Sequence, residues 1–117
     1  LKLASPDAAC LFLGPTDRMS RKGGKPWHEV ESINEVQEGV RAVAAEAGCA
    51  FWSTRDVMGG KGSIAQWRKE KLANKDHVHL TPEGYAKLAR ILVTDLMAVY
   101  GAWGAAAAPA DAGVADP

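Results

Sequence analysis

The stretch KDHVHLTPEGYAKLARIL, residues 75–92, sets a carboxylate and an imidazole close together just ahead of a helical pattern. Asp76 and His79 have two residues between them, so they can meet within a single turn of loop. A histidine that takes a proton in a reaction needs a fixed tautomer. A carboxylate on one ring nitrogen supplies it and stabilises the imidazolium that forms. The pair would then be built locally, and only a nucleophile would have to come from elsewhere. Taken alone, D-x-x-H also fits two solvated side chains met by chance. His77 is too near Asp76 in sequence for a good side-chain bond and is expected to be exposed, and His28, in a charged loop, is expected to be solvated. Three histidines without a local ligand cluster do not suggest zinc, and no cofactor is implied.

The elements that must position this pair can be read around it. Thr81 is a good N-cap, and Pro82 stands at the first helical position, where its absent N–H costs nothing. Tyr85, Leu88, Leu92, Leu96, Val99 and Trp103 recur at helical spacing and predict the buried face of a final helix. Upstream, AACLFLG (8–14) is a short apolar run closed by Gly-Pro and reads as a buried strand. PTDRMSRKGGKPWHEVE reads as loop. SINEVQEGVRAVAAEAG then carries a capping-box pattern, Ser32 with Glu35, an apolar stripe through Ile33, Val36, Val40, Val43 and Ala47, and Gly48 for a left-handed C-terminal cap. CAFWS (49–53) reads as a second strand. Strand, helix, strand at these lengths predicts a βαβ unit with parallel pairing. TRDVMGGKG reads as loop, and Ser63 with Gln66 predicts a capped short helix over 64–70. The Ala/Pro/Asp-rich residues 105–117 read as a flexible tail behind a unit of residues 1–104.

Two strands do not make an independent parallel sheet. The expected fold is the C-terminal half of a three-layer α/β/α, flavodoxin-like domain, with an unpaired edge on its first strand. Ligands of open α/β sheets bind outside the carboxyl ends of the strands. Two loops lie there: Thr16, Asp17 and Arg18 in one, Gly59 and Gly60 in the other. The first three are candidates to face a substrate, a plain Asp–Arg surface pair being the alternative. The glycines are candidates for a mobile pocket rim. Trp67 fits either a pocket wall or the core, and Trp52 fits the core. GGKGS is not a phosphate loop: position 55 is Arg where Gly would be needed, and Lys61 is followed by Gly62 rather than Ser or Thr.

Composition narrows the class. The chain has 117 residues, 47% of them hydrophobic, which suits one small globular unit. Fourteen basic and fourteen acidic residues cancel, so net charge gives no reason to propose nucleic acid or an acidic membrane as partner. No apolar run is as long as a membrane span. Cys10 and Cys49 permit one disulfide without requiring it, and are read here as two buried apolar thiols.

With these pieces in place, DHVHLTPEGYAKLA resembles the last block of the SGNH (GDSL-type) esterases and acylhydrolases, in which Asp and His at D-x-x-H complete a triad with a serine near the N-terminus. CLFLGPTDR resembles that family's fourth strand and following loop, and AGCAFWSTRDVMGGKGSIAQW its fifth strand and glycine-rich loop. The combination is similar to the branch acting on O-acetyl groups of bacterial cell-wall and exported polysaccharides. The resemblance runs over roughly residues 6–100. It implies a serine carboxylic ester hydrolase, or an acetyltransferase of the same fold. Asp76 and His79 would be catalytic, an acylated carbohydrate the substrate, and the place of work periplasmic or extracellular. The family's Gly-Asp-Ser block, oxyanion glycine and Gly-x-Asn block are absent from this chain. They are expected on the N-terminal half of the domain, in the same gene product or another chain. A non-catalytic glycan-binding remnant is the competing reading.

Overall fold

The structure, a computed structural model, describes residues 4–107, the last three by backbone alone. In chain order its elements are β1 (Leu11–Leu13), β2 (Met19–Ser20), β3 (His28–Glu29), α1 (Ser32–Glu46), β4 (Ala50–Trp52), α2 (Thr54–Met58), α3 (Ser63–Lys69) and α4 (Pro82–Ala107). β1 and β4 pair in parallel, from Leu11 opposite Ala50 to Leu13 opposite Trp52, with α1 joining them. This is the βαβ unit that the apolar runs and the helical stripe predict. Gly48 takes a positive φ of 67° behind α1, as a left-handed cap requires. The described residues thus form a mixed α/β unit around a two-stranded parallel sheet.

Several local expectations are corrected. Ser32 is the first residue of α1 rather than its cap, and Glu31 before it makes no side-chain cap bond. Ser63 likewise lies inside α3; Gly62, with a left-handed φ, occupies the cap position. The segment read as loop after β4 contains α2, which Ser53 caps by accepting from the Asp56 backbone N–H at 3.2 Å. The segment read as loop after β1 folds partly into an antiparallel hairpin, Met19 opposite Glu29 and Ser20 opposite His28.

The cysteines are not free thiols. Cys10 and Cys49 form a disulfide, their Cα atoms 5.0 Å apart. The reason lies in register. Each immediately precedes a strand, and the pair Leu11–Ala50 begins the parallel ladder, so the two residues arrive side by side. Burial as apolar thiols was the wrong reading because it took no account of that pairing.

The core is displaced from the sheet. Met58, Ile64, Trp67, Ala73 and Leu80 form the buried cluster, with Met19, Leu72 and Leu88 packed against it. It ties α2, α3 and the 71–81 segment together beneath the Asp–His loop. The face of α4 expected to be buried is largely exposed: Leu88 and Leu92 are half-buried, but Val99 is 70% and Trp103 65% exposed. Two strands offer too little sheet to cover a helix of 26 residues. The helix runs on through Gly104 to Ala107, and the rest of the expected tail lies outside the described residues.

Candidate active site

The site is built from a short loop whose two ends are fastened. The Thr81 N–H donates to the Leu72 carbonyl at 3.0 Å, and Asn74 N–H to the His79 carbonyl at 2.8 Å. Ala73 and Leu80 form an antiparallel bridge between these bonds. Thr81 is the N-cap of α4, its Oγ1 accepting from the Gly84 N–H at 3.1 Å and donating to the Lys71 carbonyl at 2.9 Å. A Cβ on Gly84 would collide with the Leu72 carbonyl, so the first turn of α4 can pack on this loop only because that residue is glycine. The result is a closed turn, residues 74–79, projecting from rigid neighbours.

Within it, Asp76 and His79 do meet. Asp76 Oδ2 lies 2.7 Å from His79 Nδ1, while Oδ1 accepts from the backbone N–H groups of Val78 at 2.9 Å and His79 at 3.0 Å. The His79 side-chain bond, then the two backbone donors, hold the Asp76 carboxyl down at about 2. Asp76 is therefore a pure acceptor near neutral pH, and Nδ1 must carry the ring proton. That leaves the Nε2 lone pair free to take a proton. Among the described residues Nε2 has no hydrogen-bond partner, and the His79 side chain is 68% exposed. The geometry suits a general base awaiting a hydroxyl within about 3 Å.

His77 is corrected from solvated to buried. It has a positive φ of 56°, unusual for a side chain with a Cβ. Its ring stacks on Trp27, centroids 3.9 Å apart, and the Arg21 guanidinium lies 4.6 Å from the Trp27 ring. The Met19 N–H donates to the His77 carbonyl at 3.0 Å. The β2–β3 hairpin thereby grips the Asp–His loop from the side. His28 is exposed, as expected.

The candidate substrate residues separate. Arg18 is exposed and, with Met19, Ser20, Glu29 and Val78, lines an open groove of about 480 Å³. Val78 places that groove next to the Asp–His pair. Thr16 is half-buried beside it in sequence. Asp17 does not face a substrate. It is fully buried, bonded to Arg55 Nε at 2.9 Å and accepting from the Ile64 N–H at 3.1 Å. Arg55, also buried, donates from Nη1 to Asn34 Oδ1. A buried carboxylate needs such partners, and these leave it nothing to offer a ligand. Trp67 is resolved in favour of the core, its Nε1 donating to the Met58 carbonyl at 2.8 Å. Gly59 and Gly60 close α2, their N–H groups bonding to the Asp56 and Arg55 carbonyls, and Lys61 beside them pairs with Glu29 of the hairpin at 2.9 Å. Trp52, half-buried, donates from Nε1 to Asp95 of α4 at 2.9 Å.

Among the described residues no cluster of His, Cys, Asp or Glu could hold a metal ion, and no helix is long and apolar enough to cross a membrane. No serine hydroxyl among them is bonded to His79. Ser63 Oγ is buried without a partner, and Ser53 Oγ is taken up by α2 and Gln37.

No protein-family model matches the chain, and no curated protein matches it. Among solved structures it is similar to a peptidoglycan O-acetylesterase, at 30% sequence identity and a TM-score of 0.76. The match covers 84% of this chain and 28% of that one. The chain is thus similar, over most of its length, to part of an esterase, and spans little more than a quarter of the enzyme it matches.

Proposed function

We propose that this chain is the C-terminal portion of an SGNH-type serine ester hydrolase domain, and that Asp76 and His79 are the orienting carboxylate and the general base of its catalytic triad. The observation that carries the reading is the 2.7 Å bond between Asp76 and His79 Nδ1, with the second carboxylate oxygen pinned by two backbone N–H groups. The similarity to a peptidoglycan O-acetylesterase supports it and suggests the substrate class: O-acetyl groups on peptidoglycan or a related polysaccharide.

In the proposed mechanism a serine hydroxyl from another part of the domain approaches Nε2. His79 takes its proton as the oxygen attacks the acetyl carbonyl, and Asp76 stabilises the imidazolium. His79 then returns the proton to the departing sugar oxygen. A second cycle with water frees acetate, while a sugar hydroxyl in place of water would make the protein a transferase. The oxyanion donors would also come from outside these residues, and one such donor is worth roughly 10²–10³ in rate. The three-layer, flavodoxin-like sheet is proposed on the same basis, with further strands adding to β1 and covering α4. A disulfide persists in oxidising compartments, which agrees with a periplasmic or extracellular setting.

The test is acetate release by this chain alone from an O-acetylated sugar, an unactivated ester that an exposed imidazole does not cleave as a nucleophile. Without a nucleophile the rate should not exceed the uncatalysed background. Steady turnover that resists serine reagents and disappears in His79→Ala would contradict the assignment.

A further inference from the structure

The chain is neutral overall, yet its charges are not spread evenly. Residues 68–75 read RKEKLANK, four cations and one acid in eight positions. The structure gathers Arg68, Lys69, Lys71 and Lys75 around an open groove of about 370 Å³, completed by Asn74 and Thr81 among others. The acid of this run, Glu70, is taken up elsewhere: it accepts from Gln66 Nε2 at 2.9 Å and lies 3.6 Å from Lys87. None of the four cations has a carboxylate partner among the described residues. Arg68 Nε is buried and has no acceptor there. The lining is thus cationic with no anion among the described residues to balance it, which suits a negatively charged ligand.

Its position gives it a use. Asn74 and Lys75 lead into Asp76, the Asn74 N–H holds the His79 carbonyl, and Thr81 closes the same loop. The groove is therefore built on both stems of the turn that carries the Asp–His pair. Resting on the esterase reading above, we infer that this groove is a subsite for a carboxylate borne by the acylated glycan, seating the polymer while His79 works on a neighbouring ester. Arginine matches a carboxylate as a planar fork, and the exposed lysines add attraction at longer range. A glycan freed of its stem peptides, with a lactyl carboxylate exposed on every second sugar, would meet this groove at regular intervals.

The experiment is an amide-shift titration of the intact 117-residue chain with three probes: a peptidoglycan-derived tetrasaccharide with free muramyl carboxylates, neutral chitotetraose, and inorganic pyrophosphate. The carboxylated glycan should move the amides of Lys71, Asn74 and Lys75 and bind less tightly as salt rises. The double variant Lys69→Gln/Lys75→Gln, at two exposed positions, should weaken that binding about threefold to tenfold. An equal response to chitotetraose, or no change in the variant, would overturn the subsite. Binding of pyrophosphate with none of the carboxylated glycan would overturn its assignment to a carboxylate. The esterase reading fails on a separate result, turnover by the longer polypeptide that is indifferent to His79, which binding to this chain does not measure.

Discussion

Asp17 stands in the loop where a substrate-facing carboxylate was expected, and the structure gives it another task that can be weighed. Its side chain is 1% exposed and that of Arg55 4%, with 2.9 Å between them. Removing one member of a buried pair leaves the other charged and desolvated, at a cost of about 3–5 kcal/mol. Asp17→Asn keeps the shape and can still accept from Ile64 N–H, so the loss should come from Arg55. Against a stability of roughly 5–15 kcal/mol for a small domain, this is about a fifth of the total or more. With a urea dependence of about 1–2 kcal/mol per molar, the midpoint should fall by roughly 1.5–5 M, followed by tryptophan emission. Asp17→Leu/Arg55→Met removes both charges and should be less damaged than either single change, a coupling of about 2 kcal/mol or more. If both single variants lose less than about 1 kcal/mol, the pair is not a structural tie and Asp17 returns to the list of residues able to meet a substrate.

Further outcomes follow from the same geometry. The Cys10–Cys49 bridge spans 39 residues, and loop entropy puts its worth at roughly 4 kcal/mol; Cys10→Ala/Cys49→Ala should lose about that in urea unfolding while the amide shifts of residues 74–79 stay unchanged. A shift of those amides would mean the bridge supports the site directly. Because the folded Asp76 carboxyl lies at about 2, below the usual carboxylate value of 3.8, its contribution is fully present above the latter and is lost as pH falls through the former. The amides of Val78 and His79 should therefore titrate near pH 2, an effect absent in Asp76→Asn; a midpoint near 4 would contradict the pinned geometry. Trp27→Ala should cost about 1 kcal/mol and quicken hydrogen exchange at residues 74–79, with Trp27→Phe largely restoring both. Unchanged exchange would show that the Trp27–His77 stack does not hold the loop.

What could be read from the sequence was local. Thr81-Pro82 placed the start of α4, the stripe from Ile33 placed α1, and two residues of separation were enough to predict that Asp76 and His79 would meet. What could not be read depended on partners distant in the chain. Asp17 looked exposed because Arg55 stands 38 positions away, in a segment too short and polar to read as helix. His77 looked solvated because nothing local announces a left-handed backbone or the Trp27 ring that covers it. The cysteine pairing was hidden for the same reason, being set by strand register rather than by spacing. Net charge misled in the opposite way: a sum of zero concealed a cluster of four cations beside the site. The exposed face of α4 shows a pattern read correctly in period and wrongly in burial, since burial depends on the layer that the helix has to cover.

The central claim is that His79, held by Asp76, is the base of an acyl-transfer site completed by residues beyond these. The most direct measurement is acetate release from O-acetylated peptidoglycan by the longer polypeptide of which this chain is read as the C-terminal part, compared with its Asp76→Asn and His79→Ala variants. The account predicts turnover in the unaltered polypeptide and a loss of about 10³-fold or more in each variant. Turnover in His79→Ala close to that of the unaltered polypeptide would contradict it.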